Sequence, residues 1–371
     1  MAVPAVRTAA ASSIFWSHLK DRFAIAHGAR RPCHVWRAFA ILNCMPQVRI
    51  GISGWRYAPW RGTFYPKGLP QKRELAYASR RLNSIEINGS FYSLQRPEYY
   101  RQWYDETPDD FVFAVKGGRF ITHMKKLRDV DEALANFFAS GVLALEDKLG
   151  PVLWQFPPGF AMNLERFQEF FEMLPRDTRS AAKLAKGHGP RLKGRVYTKT
   201  SANRPLRHAV EVRHPSFLAP EFIRLLRRHN IAFVFADTAG LWPYTEDVTA
   251  DFVYARLHGD EQIYVSGYTD AALDWWAARM RAWSCGCEPD DPKRVIDKPC
   301  KRARCRDVYA YFDNDVKVRA PFDAMSLARK LGVNWHEPGG AGNGEPVEFE
   351  QVAGATARTR WPGFRRSSVR T

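Results

Sequence analysis

The chain has 371 residues, of which 45% are hydrophobic and 13% aromatic, enough to bury one large core or two smaller ones. It contains no uninterrupted apolar run of about 18 residues, which excludes a membrane-spanning helix. Its formal net charge of +17 is of the size found in nucleic-acid-binding proteins.

The excess positive charge is confined to four segments. Residues 1–46 carry a net +5, 183–208 carry +8, 284–306 carry +3 and 335–371 carry +1. The rest of the chain holds 30 basic and 30 acidic residues. Because basic segments of this kind are typical of solvated linkers, the distribution favours a neutral folded part over a nucleic-acid-binding surface.

The N-terminal segment is rich in alanine and arginine and lacks the continuous apolar stretch of a secretory signal. We expect residues 1–46 to be a disordered extension, with an organellar transit peptide as the alternative. Met45 lies just ahead of the first strand pattern, so residues 1–44 are also consistent with a spurious extension upstream of the true start. Six cysteines in a chain of this length indicate a reducing compartment, and we predict a cytoplasmic protein.

Strand and helix patterns alternate from Val48 onwards. The predicted strands are 48–53, 84–88, 111–116, 151–156, 209–213, 231–236, 252–258 and 308–313, and the predicted helices are 71–82, 98–105, 129–139, 164–174, 221–229, 269–283 and 321–331. This order predicts an α/β protein with a single (β/α)8 TIM-like barrel over residues 47–334. Without insertions at 183–208 and 284–306, about 240 residues remain, close to the ~250 typical of that fold.

Each insertion precedes a strand, so both are expected at the N-terminal face of the barrel, remote from an active site. The second contains Cys285, Cys287, Cys300 and Cys305. Their spacing fits a four-thiolate zinc site poorly, which favours incidental thiols in an exposed loop and leaves zinc as the alternative. Residues 335–371 are rich in Gly, Pro and Arg and are predicted to be disordered.

Polar side chains end most of the predicted strands. In the stretch around strand 209–213, Glu211 and Arg213 share one face because side chains alternate along a strand. The full set is Glu86, Asn88, Lys116, Gln155, Glu211, Arg213, Asp237, Arg256 and His258, with His123 and His214 just beyond. Barrel active sites lie at these strand ends. The alternative is that these residues form structural ion pairs that fill the end of the barrel. Because burying so many charges costs free energy, we favour a ligand site.

Several separate motifs resemble those of the YecE-like family, a domain of unknown function with the number 72. They are GISGW at 51–55, EINGSFY at 86–92, Lys116 with ITH at 121–123, LGPVLWQFPP at 149–158, EVRHP at 211–215 and YFDND at 311–315. The resemblance runs from about Arg49 to Gly332 and implies a TIM-barrel-like fold but no particular reaction. Where many members have Asn-Ser-Thr, this chain has Asn-Gly-Ser at 88–90, and the two insertions are further departures.

The charge balance of the strand ends favours a small anionic substrate. Three carboxylates face three cations, and cations suit a carboxylate, phosphate or oxyanion better than a metal ion. We therefore predict an enzyme of the hydrolase, lyase or isomerase type without a cofactor. The predicted catalytic residues are Glu86, Glu211, Asp237 and His258. The predicted substrate-binding residues are Asn88, Lys116, His123, Gln155, Arg213, His214 and Arg256, with Trp55, Tyr92 and Tyr268 as aromatic contacts.

Two other functions remain open at this point. In one, Glu86, Glu211, Asp237 and His258 hold a divalent metal in a nucleic-acid-processing barrel. The neutral barrel makes a nucleic-acid partner the less favoured alternative. In the other, the barrel binds a small molecule without catalysis. No membrane partner is predicted.

Overall fold

A computed structural model of the chain describes residues 45–192 and 194–333. Eight parallel strands form a closed barrel in which each strand pairs with its neighbours in sequence and the last pairs with the first. The predicted (β/α)8 TIM-like barrel is thereby confirmed. The strands are β1 (Val48–Ser53), β2 (Ser84–Ile87), β3 (Val112–Lys116), β4 (Leu149–Gln155), β5 (His208–Glu211), β6 (Ala232–Asp237), β7 (Phe252–Leu257) and β8 (Asp307–Phe312).

Helices cover most of the connections between strands. The α-helices of the described residues are α1 (Glu74–Ala78), α2 (Gly89–Tyr92), α3 (Pro97–Glu106), α4 (Asp131–Ala139), α5 (Leu164–Met173), α6 (Thr178–Ala185), α7 (Pro220–Arg228), α8 (Asp270–Ser284) and α9 (Ala320–Leu331). Shorter 3-10 helices are Ala58–Trp60, Gln71–Arg73, Val142–Lys148, Pro190–Leu192 and Pro215–Phe217, and Phe120–Met124 is a π-helix.

Three helices differ from the sequence prediction, and one of them is the four-residue α2, which the sequence pattern does not predict. The helix predicted over 71–82 is a 3-10 turn followed by α1, which ends at Ala78. Helix α6 extends into the segment that composition assigned to the first insertion. Helix α6 is favoured by a residue next to it in the sequence: Asp177 caps its N-terminus by accepting a hydrogen bond from the Ser180 amide. At the other end of this insertion, Arg207 is ion-paired with Asp307 at the start of β8, which is the N-terminal face of the barrel.

The barrel interior below the mouth is filled by apolar side chains. Small residues on three strands face aromatic residues on β7 and β8, and the main members are Ala114, Leu153, Ala209, Val234, Ala236, Phe252, Tyr254, Tyr309 and Tyr311. On β1 a side chain at Gly51 would bring its Cβ to 2.0 Å from the carbonyl oxygen of Ser84, so only glycine fits where β1 meets β2. The filled interior excludes a site at the centre of the barrel, so the side chains of the strands can form one only at its two ends.

The connection between β6 and β7 contains no helix, and part of the second insertion packs beside it. Glu246 accepts hydrogen bonds from Arg279 Nε (2.7 Å) and from the backbone amide of Lys293 (2.9 Å). Asp247 accepts from the amide of Val295 (2.6 Å). Both carboxylates are fully buried. The expectation of a solvated insertion at 284–306 is therefore wrong for its central part, which buried carboxylates tie to the barrel.

We expect Glu246→Ala to lower the free energy of unfolding by about 3–5 kcal/mol, because it leaves the buried Arg279 guanidinium without its main partner. Asp291→Ala is the matched control, since Asp291 pairs with the same arginine but is 74% exposed. The control is expected to cost less than about 1 kcal/mol. Urea unfolding followed by circular dichroism measures both values, and equal losses would contradict the anchoring.

Several predictions concern residues that the structure does not describe, or the cysteines of the second insertion. The expected disorder of residues 1–44 and 335–371 lies outside the described residues. Cys285 is exposed and Cys300 half-buried, and no cluster of three or more His, Cys, Asp or Glu side chains suited to a metal occurs within 45–192 and 194–333. No helix in these ranges combines the length and the apolar character needed to cross a membrane.

Candidate functional site at the barrel mouth

The mouth is the C-terminal end of the barrel, where seven of the eight strands place a polar side chain on the inner face. Alternation from the apolar interior residues fixes this direction. The neighbouring strands are in register, with Ser53 beside Glu86 and Gln155 beside Glu211. The inward polar side chains are Ser53, Glu86, Lys116, Gln155, Glu211, Arg256 and Asp313.

Arg256 is the centre of the charged cluster. Its guanidinium lies 2.9 Å from Glu86 Oε1, 2.7 Å from Glu211 Oε2 and 2.8 Å from Asp313 Oδ2. Arg256, Glu86 and Glu211 are all 0% exposed. Glu86 also accepts hydrogen bonds from the hydroxyls of Ser53 (2.9 Å) and Tyr254 (2.6 Å). Both Glu86 oxygens are thus fully engaged, which suits a rigid platform rather than a group that exchanges protons.

Glu211 is held ionised by two arginines. Arg213 Nε donates to Oε1 of Glu211 at 2.8 Å, on the side away from Arg256. Burial alone would raise the pKa of Glu211, but Arg213 and Arg256 hold it well below its usual range. The Arg213 guanidinium also stacks 3.6 Å above the ring of Trp242 and is 12% exposed. Arg213 therefore reaches from the buried cluster to the accessible surface of the mouth.

Lys116 differs from the other charged side chains of the mouth in its lack of ion pairs and hydrogen bonds within the described residues. It is 8% exposed, and its Nζ lies 4.5 Å from the ring centroid of Phe91 but makes no ion pair or hydrogen bond with any residue of 45–192 or 194–333. Burial, followed by repulsion from Arg256, lowers the pKa of Lys116 to about 8. At pH 7 roughly one molecule in ten then carries a neutral amine at this position.

Two histidines of the mouth are neutral near pH 7. Burial, with repulsion from Lys116 and Arg213, lowers the pKa of His123 to about 4. Burial and Arg256 likewise lower the pKa of His258. His258 Nδ1 lies 3.2 Å from Asp313 Oδ2, but outside hydrogen-bonding geometry, so the ring nitrogen has no hydrogen-bond partner among the described residues.

The two aspartates after β8 have opposite ionisation states. Burial opposes the charge of Asp313, but the adjacent Arg256 guanidinium lowers its pKa to about 2. Burial and the adjacent Asp313 raise the pKa of Asp315 well above its usual range. Two carboxyl groups whose environments push their pKa values apart are a recurring arrangement in acid/base catalysis. Asp315 is thus the candidate proton donor of the mouth.

Three buried polar atoms around the mouth have no hydrogen-bond partner among the described residues. They are Asn88 Oδ1, His258 Nδ1 and Asp315 Oδ1, at the ends of β2, β7 and β8. A buried polar group without a partner costs about 1–3 kcal/mol, and such groups are uncommon in folded proteins. They are three of the ten such atoms among the described residues, and their common position at the C-terminal ends of strands favours a polar ligand or water there.

Several residues predicted for the site lie elsewhere. Ala236 faces the barrel interior, so the next residue of the strand, Asp237, points outward. There its carboxylate accepts a hydrogen bond from the Tyr268 hydroxyl (3.0 Å). Trp55 is a core residue, packed edge-on against Trp103. His214 accepts a hydrogen bond from the amide of Ser216, which caps the following 3-10 helix.

Two further predicted residues lie at or near the mouth. Gln155 is buried and faces inward, and its amide donates to the carbonyl of Phe156 (3.3 Å). Tyr92 is 66% exposed beside Phe91. The structure thus brings Glu86, Asn88, Lys116, Gln155, Glu211, Arg213, Arg256 and His258 together, with His123 against Phe91.

The four residues predicted as alternative metal ligands do not fit a divalent cation in this arrangement. The Arg256 guanidinium lies between Glu86 and Glu211 and donates to both. Asp237 faces the outside of the barrel and cannot join them. A cation already occupies the position that a metal ion would take, and like charges in contact repel.

Sequence reasoning missed the residues that complete the cluster. Ser53, Tyr254, Asp313 and Asp315 were not among the predicted site residues, although two of them belong to the YFDND motif. The rule applied to the other strands, that polar residues at the end of an apolar run face the mouth, also selects Asp313. The sequence pattern does not select Tyr254, because a tyrosine within an apolar strand is predicted to be a core residue.

The sequence of residues 49–346 matches the family described as protein of unknown function DUF72. The UPF0759 protein YecE of Escherichia coli K12 is 26% identical over 173 residues, which are 46% of this chain and 50% of that protein. The UPF0759 protein YunF of Bacillus subtilis 168 is 30% identical over 123 residues, 32% of this chain and 43% of that protein. The matches thus span half or less of the length of these relatives.

Solved structures with the same fold cover more of the chain. A DUF72 family protein from Thermotoga maritima superposes with a TM-score of 0.58 at 25% identity, covering 77% of this chain and 99% of that one. A DUF72 family protein from Enterococcus faecalis V583 gives a TM-score of 0.56 at 15% identity, with 79% and 99% covered. The second comparison supports the fold alone.

Proposed function

This chain belongs to the DUF72 family of proteins of unknown function, and from the geometry of its barrel mouth we propose that it is an enzyme that performs acid/base chemistry on a small anionic substrate. The observation that carries the proposal is that, among the described residues, Lys116 makes no ion pair or hydrogen bond and three buried polar atoms at the strand ends have no hydrogen-bond partner. A purely structural plug would pair these groups, because unpaired buried polar groups are destabilising.

The cations of the mouth supply the affinity for an anion. The Nη1 atom of Arg213 makes no hydrogen bond or ion pair within the described residues, while its Nε and Nη2 are directed to Glu211. Arginine presents a planar fork of donors that matches a carboxylate or phosphate. Arg213 and the charged form of Lys116 therefore bind the substrate anion, and Trp242 lies against the same guanidinium.

The proton-transfer groups are Asp315 and Lys116. Asp315 is kept protonated by burial and by Asp313, so it can donate a proton. Lys116, with its pKa lowered to about 8, can accept one when neutral. Glu86 and Glu211, predicted from sequence as acid and base, serve in this proposal as the charged platform that positions Arg256.

The test is a ligand-binding assay at pH 7 with inorganic phosphate, acetate and pyruvate as probes. Binding is measured as a rise in melting temperature and as a change in the fluorescence of Trp242, identified by difference from Trp242→Phe. We expect Lys116→Gln and Arg213→Gln each to weaken binding by tenfold or more. Binding should also weaken above pH 8, as Lys116 loses its proton.

Arg80→Gln is the control, because Arg80 is exposed and lies before β2, at the opposite end of the barrel. It is expected to leave binding unchanged. Failure of all three anions to raise the melting temperature, or equal weakening by all three variants, would overturn the proposal.

A further inference from the structure

We propose that Lys116 acts as a nucleophile and forms an imine with the carbonyl carbon of a small 2-oxo carboxylate. This inference rests on the proposed function and narrows it to a substrate class. Lysine forms such Schiff bases with carbonyl compounds when its amine is partly desolvated and free of a counter-ion.

The position of Lys116 meets these requirements. It is the last residue of β3 and faces inward, directly above the apolar interior that begins with Ala114. Within the described residues its amine makes no hydrogen bond or ion pair, and its Nζ lies 4.5 Å from the centroid of the Phe91 ring. Among the described residues the amine is therefore not held by a carboxylate, and the residue keeps 8% of its surface exposed at the mouth.

Lys148 shows what a structural lysine looks like in the same barrel. It is 3% exposed and also lies near an aromatic ring, with Nζ 4.4 Å from the centroid of Tyr104. Its ammonium group, however, donates to the carbonyls of Tyr104 (2.7 Å) and Thr107 (2.8 Å). Of these two buried lysines, only Lys116 has an uncommitted amine. Its lowered pKa supports the assignment, because the neutral amine is the reactive form.

The reaction balances with groups of the mouth. The neutral amine of Lys116 attacks the carbonyl carbon, and one proton passes from the resulting ammonium nitrogen to the oxygen to give a carbinolamine. Asp315 donates a proton to the hydroxyl group, which leaves as water while the C=N bond forms, and the Asp315 carboxylate then takes the remaining proton from nitrogen. Arg213 holds the carboxylate throughout. The net change is amine plus carbonyl to imine plus water, with no oxidant or reductant.

The experiment is reductive trapping of the full chain with pyruvate and sodium cyanoborohydride, followed by intact-mass measurement and peptide mapping. We expect one reduced adduct on Lys116, at a rate that rises between pH 7 and pH 9. Lys148 and the exposed Lys67 are internal controls and should remain unmodified at the same dose. Lys116→Arg, which keeps the charge but cannot form the imine, should lose the adduct while retaining its melting temperature within a few degrees.

The outcomes separate this inference from the proposed function. Pyruvate binding that depends on Arg213, without any adduct on Lys116, would overturn the imine and leave the acid/base proposal standing. Adducts on exposed lysines only, with the same yield in Lys116→Arg, would also overturn it. Absence of both binding and adduct would overturn both proposals. If Lys116→Arg does not fold, Lys116→Gln serves the same comparison.

Discussion

Replacing Arg256 with methionine is expected to cost about 3–5 kcal/mol of unfolding free energy or more, the largest effect of any single change at the barrel mouth. The guanidinium is 0% exposed and is within 3 Å of Glu86, Glu211 and Asp313. Without it, two or three buried carboxylates lose their counter-charge, and desolvated charges are among the most costly features of a folded protein.

The measurement is urea unfolding at pH 7, with Arg207→Met as the matched control. Arg207 pairs with Asp307 and Asp251 at the other end of the barrel, where its side chain is 26% exposed and Asp251 is 57% exposed. Solvent screens that cluster, so the control should cost roughly 1 kcal/mol or less. If Arg256→Met is unfolded when purified, Arg256→Lys, which keeps the charge but loses the planar fork of donors, gives an intermediate value. Equal, small losses of unfolding free energy in both arginine variants would show that the ion pairs of Arg256 do not contribute more to stability than those of Arg207.

Replacing Lys116 with methionine is expected to have the opposite sign and to stabilise the folded chain by about 1–3 kcal/mol at pH 7. The pKa of Lys116 is about 8 in the folded state against the usual value of 10.5, so burying the charged amine is unfavourable. Below pH 8 both states are protonated and the full penalty is present. Between pH 8 and pH 10.5 the folded state releases its proton first, the unfolded state binds more protons, and stability of the parent chain rises with pH.

The stability difference between Lys116→Met and the parent should therefore be largest at pH 7 and shrink towards pH 10. Lys148→Met is the matched control and should be destabilising, because it leaves the carbonyls of Tyr104 and Thr107 without their donor. A gain in stability combined with loss of anion binding is the signature of a residue kept for function. Loss of stability comparable with that of Lys148→Met would instead assign Lys116 to the structural framework.

The chain's sequence determined the barrel and the positions of its strand ends. Eight apolar runs with intervening helical patterns specify parallel strands that are covered on both faces. The observed strands each overlap the predicted ones, and the side chains of Glu86, Lys116, Glu211 and Arg256 converge as expected from their places at strand ends. These features depend on local periodicity, which is present in the sequence itself.

Only the tertiary structure decided which way ambiguous side chains point and which charges pair. In β6 both faces are apolar, so periodicity cannot tell that Asp237 turns outward to Tyr268. The same limit hid Tyr254, whose hydroxyl reaches Glu86 across the barrel, 168 residues away in sequence. Barrel closure pairs Arg256 with three carboxylates and leaves Lys116 without an ion-pair partner among residues 45–192 and 194–333. The energies of buried charges depend on such neighbours, which are distant in the chain.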